Sequence, residues 1–171
     1  MKSPAYAKFI ILANSGKKSL DETLGLITKG DIVGVLQELY KDECRQQEVY
    51  ENYRYLLFGP AGIGVKEHLE EHMKEEQGHR DVLQRYIVSL NSVPTIDRHP
   101  IPIPNQMNLR GLMKLNLELE YSTVEKYSLV VKGLEKTDSA YHVALLNDLQ
   151  TITSQETEHV QDLERWLRET L

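Results

Sequence analysis

Apolar residues recur at three- and four-residue intervals along four long stretches of this chain, the spacing that lines one face of an α-helix. The first stretch runs from Asp31 to Phe58 through Val35, Leu36, Leu39, Tyr40, Val49, Tyr50, Leu56 and Leu57. Asp31 is a suitable N-cap, and Gly59-Pro60-Ala61-Gly62-Ile63-Gly64 reads as a breaker. A helix of about 27 residues is roughly 40 Å long. The second runs from Val65 to Asn91, with Leu69, His72, Glu76, His79, Leu83, Ile87 and Leu90 on one face and Glu67, Glu70, Glu71 and Lys74 mostly elsewhere. The third starts at Asn108 or Leu109 and carries Leu112, Leu115, Glu118, Ser122, Glu125 and Leu129 before Gly133 ends it. Thr137-Asp138-Ser139 caps the fourth, whose face reads Leu145, Leu149, Ile152, Glu156, His159, Leu163 and then Trp166 or Leu167.

The connections decide the topology. Pro94, Pro100, Pro102 and Pro104 forbid a helix between Val93 and Asn108 and favour an extended path. Two short turns and one long crossover, between the second and third helices, predict an all-α four-helix bundle that is not simply up-down-up-down. Residues 31–171 form this bundle in the sequence reading, and residues 1–30 form an extension. Ser19-Leu20-Asp21-Glu22 is a capping box for a short helix through Leu24, Leu26 and Ile27 that Gly30 stops. Residues 1–18 read as a docked arm or a further short helix.

Six ionisable residues interrupt these apolar stripes in a chemically specific way. Glu76 and His79 lie one turn apart on the second helix, as do Glu156 and His159 on the fourth. Glu43 on the first helix and Glu118 on the third complete one carboxylate from each remaining helix. A single Glu-x-x-His pair is often a solvated surface pair. Four carboxylates and two imidazoles on core faces make no sense as a plain core, because each buried unpaired charge costs several kcal/mol. Two divalent cations would bring +4 against the four carboxylates, so charge balance predicts a binuclear site. Carboxylate and imidazole donors without thiolate suit Fe, Mn or Zn. His68, His99 and His142 read as surface residues, and His72, one turn before Glu76, as a weaker candidate for contact with the metals.

Composition narrows the class. The 171 residues carry a formal net charge of −6, which opposes nucleic-acid binding and mildly favours cations. Cys44 is the sole cysteine, so there is no disulfide framework or cysteine-based metal site, and a reducing cytoplasm is the natural setting. Lys8 interrupts the apolar run that ends Phe9-Ile10-Ile11-Leu12-Ala13, leaving it short for a signal peptide. No segment approaches the ~20 apolar residues that span a bilayer.

From residue 31 to 167 the motifs resemble bacterioferritin. Leu39-Tyr40-Lys41-Asp42-Glu43 with Tyr50, Glu76-Gln77-Gly78-His79-Arg80-Asp81, Leu115-Asn116-Leu117-Glu118-Leu119-Glu120 and Glu156 to His159 are similar to that family's four helical signatures. The resemblance implies a ferritin-like fold with two irons per subunit. Glu43, His79, Glu118 and His159 would be terminal ligands and Glu76 and Glu156 bridges, with Tyr50 beside the site as a source of a further electron. Glu71 and Glu75 resemble inner-surface positions that pass iron to a mineral. Gln77 stands where the family places its haem-binding Met, so no haem is expected. The absent fifth helix gives an outline like the Dps-type mini-ferritins, here with a bacterioferritin-type site and without their characteristic cysteine pair. Tyr121 occupies the position where a rubrerythrin-like peroxidase adds a Glu.

The activity implied is a ferroxidase that oxidises Fe²⁺ with O₂ or H₂O₂, for iron storage, detoxification and oxidative-stress protection in a homo-oligomeric cage, a dodecamer in preference to a 24-mer. The alternative is a di-iron or manganese oxidase or peroxidase acting on a small molecule without storage. A Dps-like role on DNA would rely on Lys2, Lys8, Lys17 and Lys18, a thin basic signal against an acidic body. A metal-free helical scaffold ranks last, on the buried charge.

Overall fold

The computed structural model describes residues 7, 9, 10, 28–53, 59–96, 108–135 and 140–169. Among these the long elements are four helices, α1 (Lys29–Tyr53), α2 (Gly59–Ser89), α3 (Leu109–Leu134) and α4 (Ala140–Glu169), and there is no strand. α1 packs along α2 and α3 along α4, and the two pairs meet through α1 against α3 and α2 against α4. The all-α bundle expected from the apolar periodicity is the one the chain forms.

The core identifies which ends lie together. Tyr50, late in α1, clusters with Val65 and Leu69, early in α2, and with Met113, early in α3. Ile32, at the start of α1, clusters instead with Ile87, near the end of α2, and with Leu134, at the end of α3. The chain therefore leaves α2 at one end of the bundle and begins α3 at the other. α2 has 31 residues, or about 46 Å, whereas some twenty extended residues reach about 60 Å, so the crossover can cover that length. Gln37 of α1 ties down its first part. The Gln37 side chain donates to the Val93 carbonyl at 2.7 Å and accepts from the Thr95 N–H at 2.9 Å. Residues 97–107, with Pro100, Pro102 and Pro104, lie outside the described residues.

Three helix ends differ from the sequence reading. The N-cap of α1 is Thr28, not Asp31. The Thr28 hydroxyl accepts from the Asp31 N–H at 3.2 Å and the Asp31 carboxylate accepts from the Thr28 N–H at 2.8 Å, a reciprocal box with Asp at its third helical position. Gly30 consequently sits in the first turn of α1. α2 begins at Gly59, so the Gly-Pro segment is its opening and not a breaker. In a first turn the missing N–H of Pro60 has no intrahelical acceptor to lose, and its fixed φ suits the helix. At the other end of α2, Asn91 adopts φ 55. The Ser92 N–H bonds the Ile87 carbonyl at 3.1 Å and the Asn91 N–H the Val88 carbonyl at 2.9 Å, a Schellman closure. Asn108 caps α3 by accepting from the Gly111 N–H at 2.9 Å.

The expected capping box at Ser19 and its helix, the end of the first helix at Phe58 and the Thr137-Asp138-Ser139 cap lie outside the described residues. Of the first eighteen residues, Ala7, Phe9 and Ile10 are helical, and Phe9 is wholly buried in the core with Val130 and Leu134. Gly133 admits it: a Cβ there would stand 2.8 Å from Phe9 Cδ1. Phe9 is thus packed onto the bundle.

Candidate metal centre

Between the two apolar clusters each helix turns an ionisable residue inward. Glu43 comes from α1, Glu76 and His79 from α2, Glu120 from α3, and Glu156 and His159 from α4, and none of the six exposes more than 3% of its surface. They form two overlapping groups. Glu43, Glu76, His79 and Glu156 make one, and Glu76, Glu120, Glu156 and His159 the other, with the nearest donor atoms of each group all within 4.8 Å of one another. Glu76 and Glu156 belong to both.

Five of the six ligand residues expected from the sequence are brought together. Glu118 is not. It is exposed on α3, and Glu120 occupies the inward position. The inward stripe of α3 runs Met113, Asn116, Glu120, Thr123, Tyr127, Val130 and Leu134. Two residues at 100° each place Glu118 on the opposite side of the helix from Glu120. The stripe through Leu112 and Leu115 that the sequence reading followed is also apolar, but it faces outward from the centre and packs with Leu119 and Val49 in a cluster of its own. Helix α3 has two apolar stripes, and periodicity alone does not say which one faces the other three helices.

The donor atoms turned toward one another lack ordinary partners. Glu43 Oε2, both oxygens of Glu76 and of Glu156, and the Nδ1 atoms of His79 and His159 are buried without a hydrogen bond. His79 Nδ1 lies 2.7 Å from Glu156 Oε1, 3.5 Å from Glu43 Oε2 and 3.6 Å from Glu76 Oε2. His159 Nδ1 lies 3.4 Å from Glu76 Oε1 and 3.8 Å from Glu120 Oε1. Buried polar atoms are nearly always satisfied, so this convergence is the expected form of a site completed by cations.

The outward atoms, in contrast, are held. His159 Nε2 is 2.6 Å from Glu75 Oε2 and His79 Nε2 is 3.2 Å from Gln155 Oε1, so each ring can donate outward while Nδ1 faces the cluster. Tyr127 donates to Glu43 Oε1 and Tyr50 to Glu120 Oε1. Gln46 donates to Glu120 Oε2 at 2.9 Å and is itself steadied by the Thr123 hydroxyl at 3.0 Å. Each phenol comes seven residues after a cluster carboxylate on its own helix and bonds the carboxylate of the other. Tyr127 follows Glu120 by the same seven residues that separate Tyr50 from Glu43, the signal in the sequence that points to it.

Burial and mutual repulsion set the protonation of the metal-free centre. Burial, with Glu43 beside it, pushes Glu76 up to about 7. Burial and the Glu156 and Glu76 charges hold Glu120 well above the carboxylate range. Burial pulls His159 down, but Glu76, Glu156 and Glu75 outweigh it and set it at about 9. His79 behaves likewise: Glu156, Glu43 and Glu76 overcome burial and keep it protonated. The phenols of Tyr50 and Tyr127 are raised, first by burial and then by the surrounding carboxylates. Near neutral pH, then, the centre holds several protons that arriving cations would displace.

The other flagged residues separate cleanly. His72 is buried and stacks on His159, with ring centroids 3.9 Å apart. His68 packs on Trp166 and lies 3.3 Å from the exposed Glu71, and His142 is half-buried. His99 lies outside the described residues. Gln77 is exposed and donates to Asp81 at 2.7 Å. Cys44 is half-buried, and burial pushes its thiol up.

Comparison with family models matches residues 33–170 to the ferritin-like domain of the Ferritin family. The chain belongs to the ferritin-like family. Among solved structures, a ferritin-like diiron-carboxylate protein from Bacillus anthracis superposes with a TM-score of 0.70 at 23% identity, covering 81% of this chain and 96% of that one. The dodecameric thioferritin of Bacteroides fragilis, a bacterioferritin-related protein, gives 0.73 at 21% identity over 91% and 95% of the two chains. A Dps1 mutant of Mycobacterium smegmatis gives 0.59 at 15% identity over 77% and 96%. At these identities the likeness is one of ferritin-like fold. Comparison with curated proteins returns no match.

Proposed function

We propose that this ferritin-like chain is a ferroxidase whose centre binds two Fe²⁺ ions as substrate. The observation that carries the reading is the pair of overlapping ligand groups joined by Glu76 and Glu156, with their facing atoms unsatisfied. Glu43 and His79 would hold one ion and Glu120 and His159 the other, with Glu76 and Glu156 shared. Glu120 replaces Glu118 in this ligand set. Bound iron supplies electrons to O₂ or H₂O₂ and leaves as Fe³⁺ for storage or detoxification.

The protein's own part is positioning and proton handling. Four carboxylates balance two divalent charges, and the buried setting keeps those charges from being screened by water. Glu75 and Gln155 fix the two imidazoles with Nδ1 inward. Tyr127 restrains one oxygen of Glu43 and leaves the other free, whereas Tyr50 and Gln46 engage both oxygens of Glu120. The Glu43 side is thus the more adjustable of the two. Tyr50, bonded to Glu120, would give up a further electron.

A homo-oligomeric shell fits this reading, a dodecamer in preference to a 24-mer, and the dodecameric Bacteroides fragilis protein of the same fold supports it. No described helix is long and apolar enough to cross a membrane, and the lone Cys44 fits a cytoplasmic setting. The test is native mass with metal per chain, followed by Fe²⁺ oxidation with each oxidant. A large shell holding two irons per chain, with turnover lost in Glu76→Gln and Glu156→Gln, is expected. A dimer with two metals would shift the weight to a small-molecule oxidase, and turnover that survives both substitutions would refute the assignment.

A further inference from the structure

His72 is a buried histidine that the proposed centre does not use. It exposes 4% of its surface, yet its Nδ1 is buried without a hydrogen bond, and its Nε2 stops 3.8 Å from Asp162 Oδ2. A core histidine is ordinarily satisfied on at least one side. Asp162 is prepared for a ligand at the same place. Its Oδ1 is held by Arg165 at 2.6 Å, which turns Oδ2 toward His72, and its side chain is 30% exposed.

These two residues are half of a crossed arrangement. α2 presents His72 and, one turn on, Glu75; α4 presents His159 and, one turn on, Asp162. Each histidine faces the carboxylate of the other helix, His72 toward Asp162 and His159 toward Glu75, and the two rings stack at 3.9 Å and 19°. Glu75 and Asp162 both reach solvent, whereas His72 and His159 are buried. Carboxylates therefore stand on the outside, imidazoles behind them, and the metal centre behind His159.

We propose that His72 and Asp162 form a third divalent-cation site, a staging point between the surface and the centre. The inference rests on the centre binding metal as proposed above. Donor distances of about 2.0–2.2 Å place two ligand atoms of a tetrahedral ion roughly 3.4 Å apart, so the 3.8 Å gap, too long for a hydrogen bond, closes on an ion with little movement. One imidazole and one carboxylate suit Fe²⁺, Co²⁺ or Zn²⁺. Two protein ligands, with water for the rest, hold such an ion weakly, which is what a site that passes its ion on requires.

The test is Co²⁺ titration of the intact protein and of Asp162→Asn and His72→Phe, with stopped-flow absorbance following the filling of the centre. Asn keeps an oxygen for Arg165, and Phe keeps a flat ring against His159, so the two variants check each other. The wild type is expected to bind two Co²⁺ tightly and a third at least tenfold more weakly. Each variant should lose that one ion, keep the other two within twofold, and fill the centre at least threefold more slowly. Retention of the weak ion in both variants, or an unchanged filling rate, would overturn the proposal. Two tight ions without a third in the wild type would overturn it while leaving the centre intact, whereas no binding at all would refute the centre itself.

Discussion

Replacing Glu120 by Gln should remove one metal from the centre, and replacing Glu118 by Gln should remove none. Glu120 is wholly buried among Glu76, Glu156 and His159, whereas Glu118 is exposed. Gln is close to isosteric with Glu, so the change deletes a charged donor and little volume. Loss of a partner that merely orients a ligand weakens metal sites 10- to 100-fold, so loss of a ligand should cost at least about 100-fold, or ~2.7 kcal/mol. The fold should survive it. In the metal-free protein burial and the neighbouring carboxylates disfavour the Glu120 charge, so no favourable charge is lost there. The Tyr50 hydroxyl can still donate to the new amide oxygen. Rotation of the Gln46 amide would let its oxygen accept from the new amide nitrogen and its nitrogen donate to Thr123, which confines the stability change to about 1 kcal/mol. Calorimetric Co²⁺ titration against thermal melts separates the two effects. A Glu118→Gln variant that loses an ion while Glu120→Gln keeps both would refute the register assigned to α3.

Three further outcomes follow from the same structure. The metal-free protein should lose thermal stability between pH 5 and 9. Glu76 is raised from 4.5 to about 7, so its contribution is complete below pH 4.5 and lost as pH rises through 7; His159, raised from 6.5 to about 9, loses its contribution as pH rises through 9. Each is worth ~3 kcal/mol taken singly. The metal-loaded protein should show a flatter profile, and a melting temperature of the metal-free form that climbs with pH would contradict the assignment. Gly133→Ala should destabilise by about 1–3 kcal/mol in denaturant melts, because its Cβ would press on the Phe9 ring at 2.8 Å. A gain in stability, the usual helical effect of Gly→Ala, would show that Phe9 does not occupy that notch. Tyr127→Phe should cost about 1–3 kcal/mol in the metal-free protein, since Glu43 loses its buried donor, while the ion count stays at two; an unaltered melt would argue against that hydrogen bond.

Legibility of the sequence followed the number of apolar stripes on each helix. α1, α2 and α4 carry one main inward stripe, so periodicity placed Glu43, Glu76, His79, Glu156 and His159 correctly relative to the core. α3 carries two, and the outer one, through Leu112 and Leu115, was the easier to see. Helix existence was plain while helix ends were not: Pro60 reads equally as a breaker and as a first-turn residue until the partner helix fixes where the chain turns. The groups that steady the site were the least visible. Glu75, Gln155 and Gln46 acquire their roles only once the relative register of two helices is set, which no local pattern specifies. His72 marks the same boundary, since its spacing puts it on the inward face but only the packing shows it against His159 with its Nδ1 unpaired.

The central claim is that the six buried residues hold two ions. Anomalous diffraction from crystals soaked in Co²⁺ or, without oxygen, in Fe²⁺ tests it most directly. Two strong peaks per chain should appear, one beside Glu43 and His79 and one beside Glu120 and His159, with Glu76 and Glu156 between them. A single peak within the six residues, or strong density at Glu118 with none beside Glu120, would contradict the binuclear centre as built here.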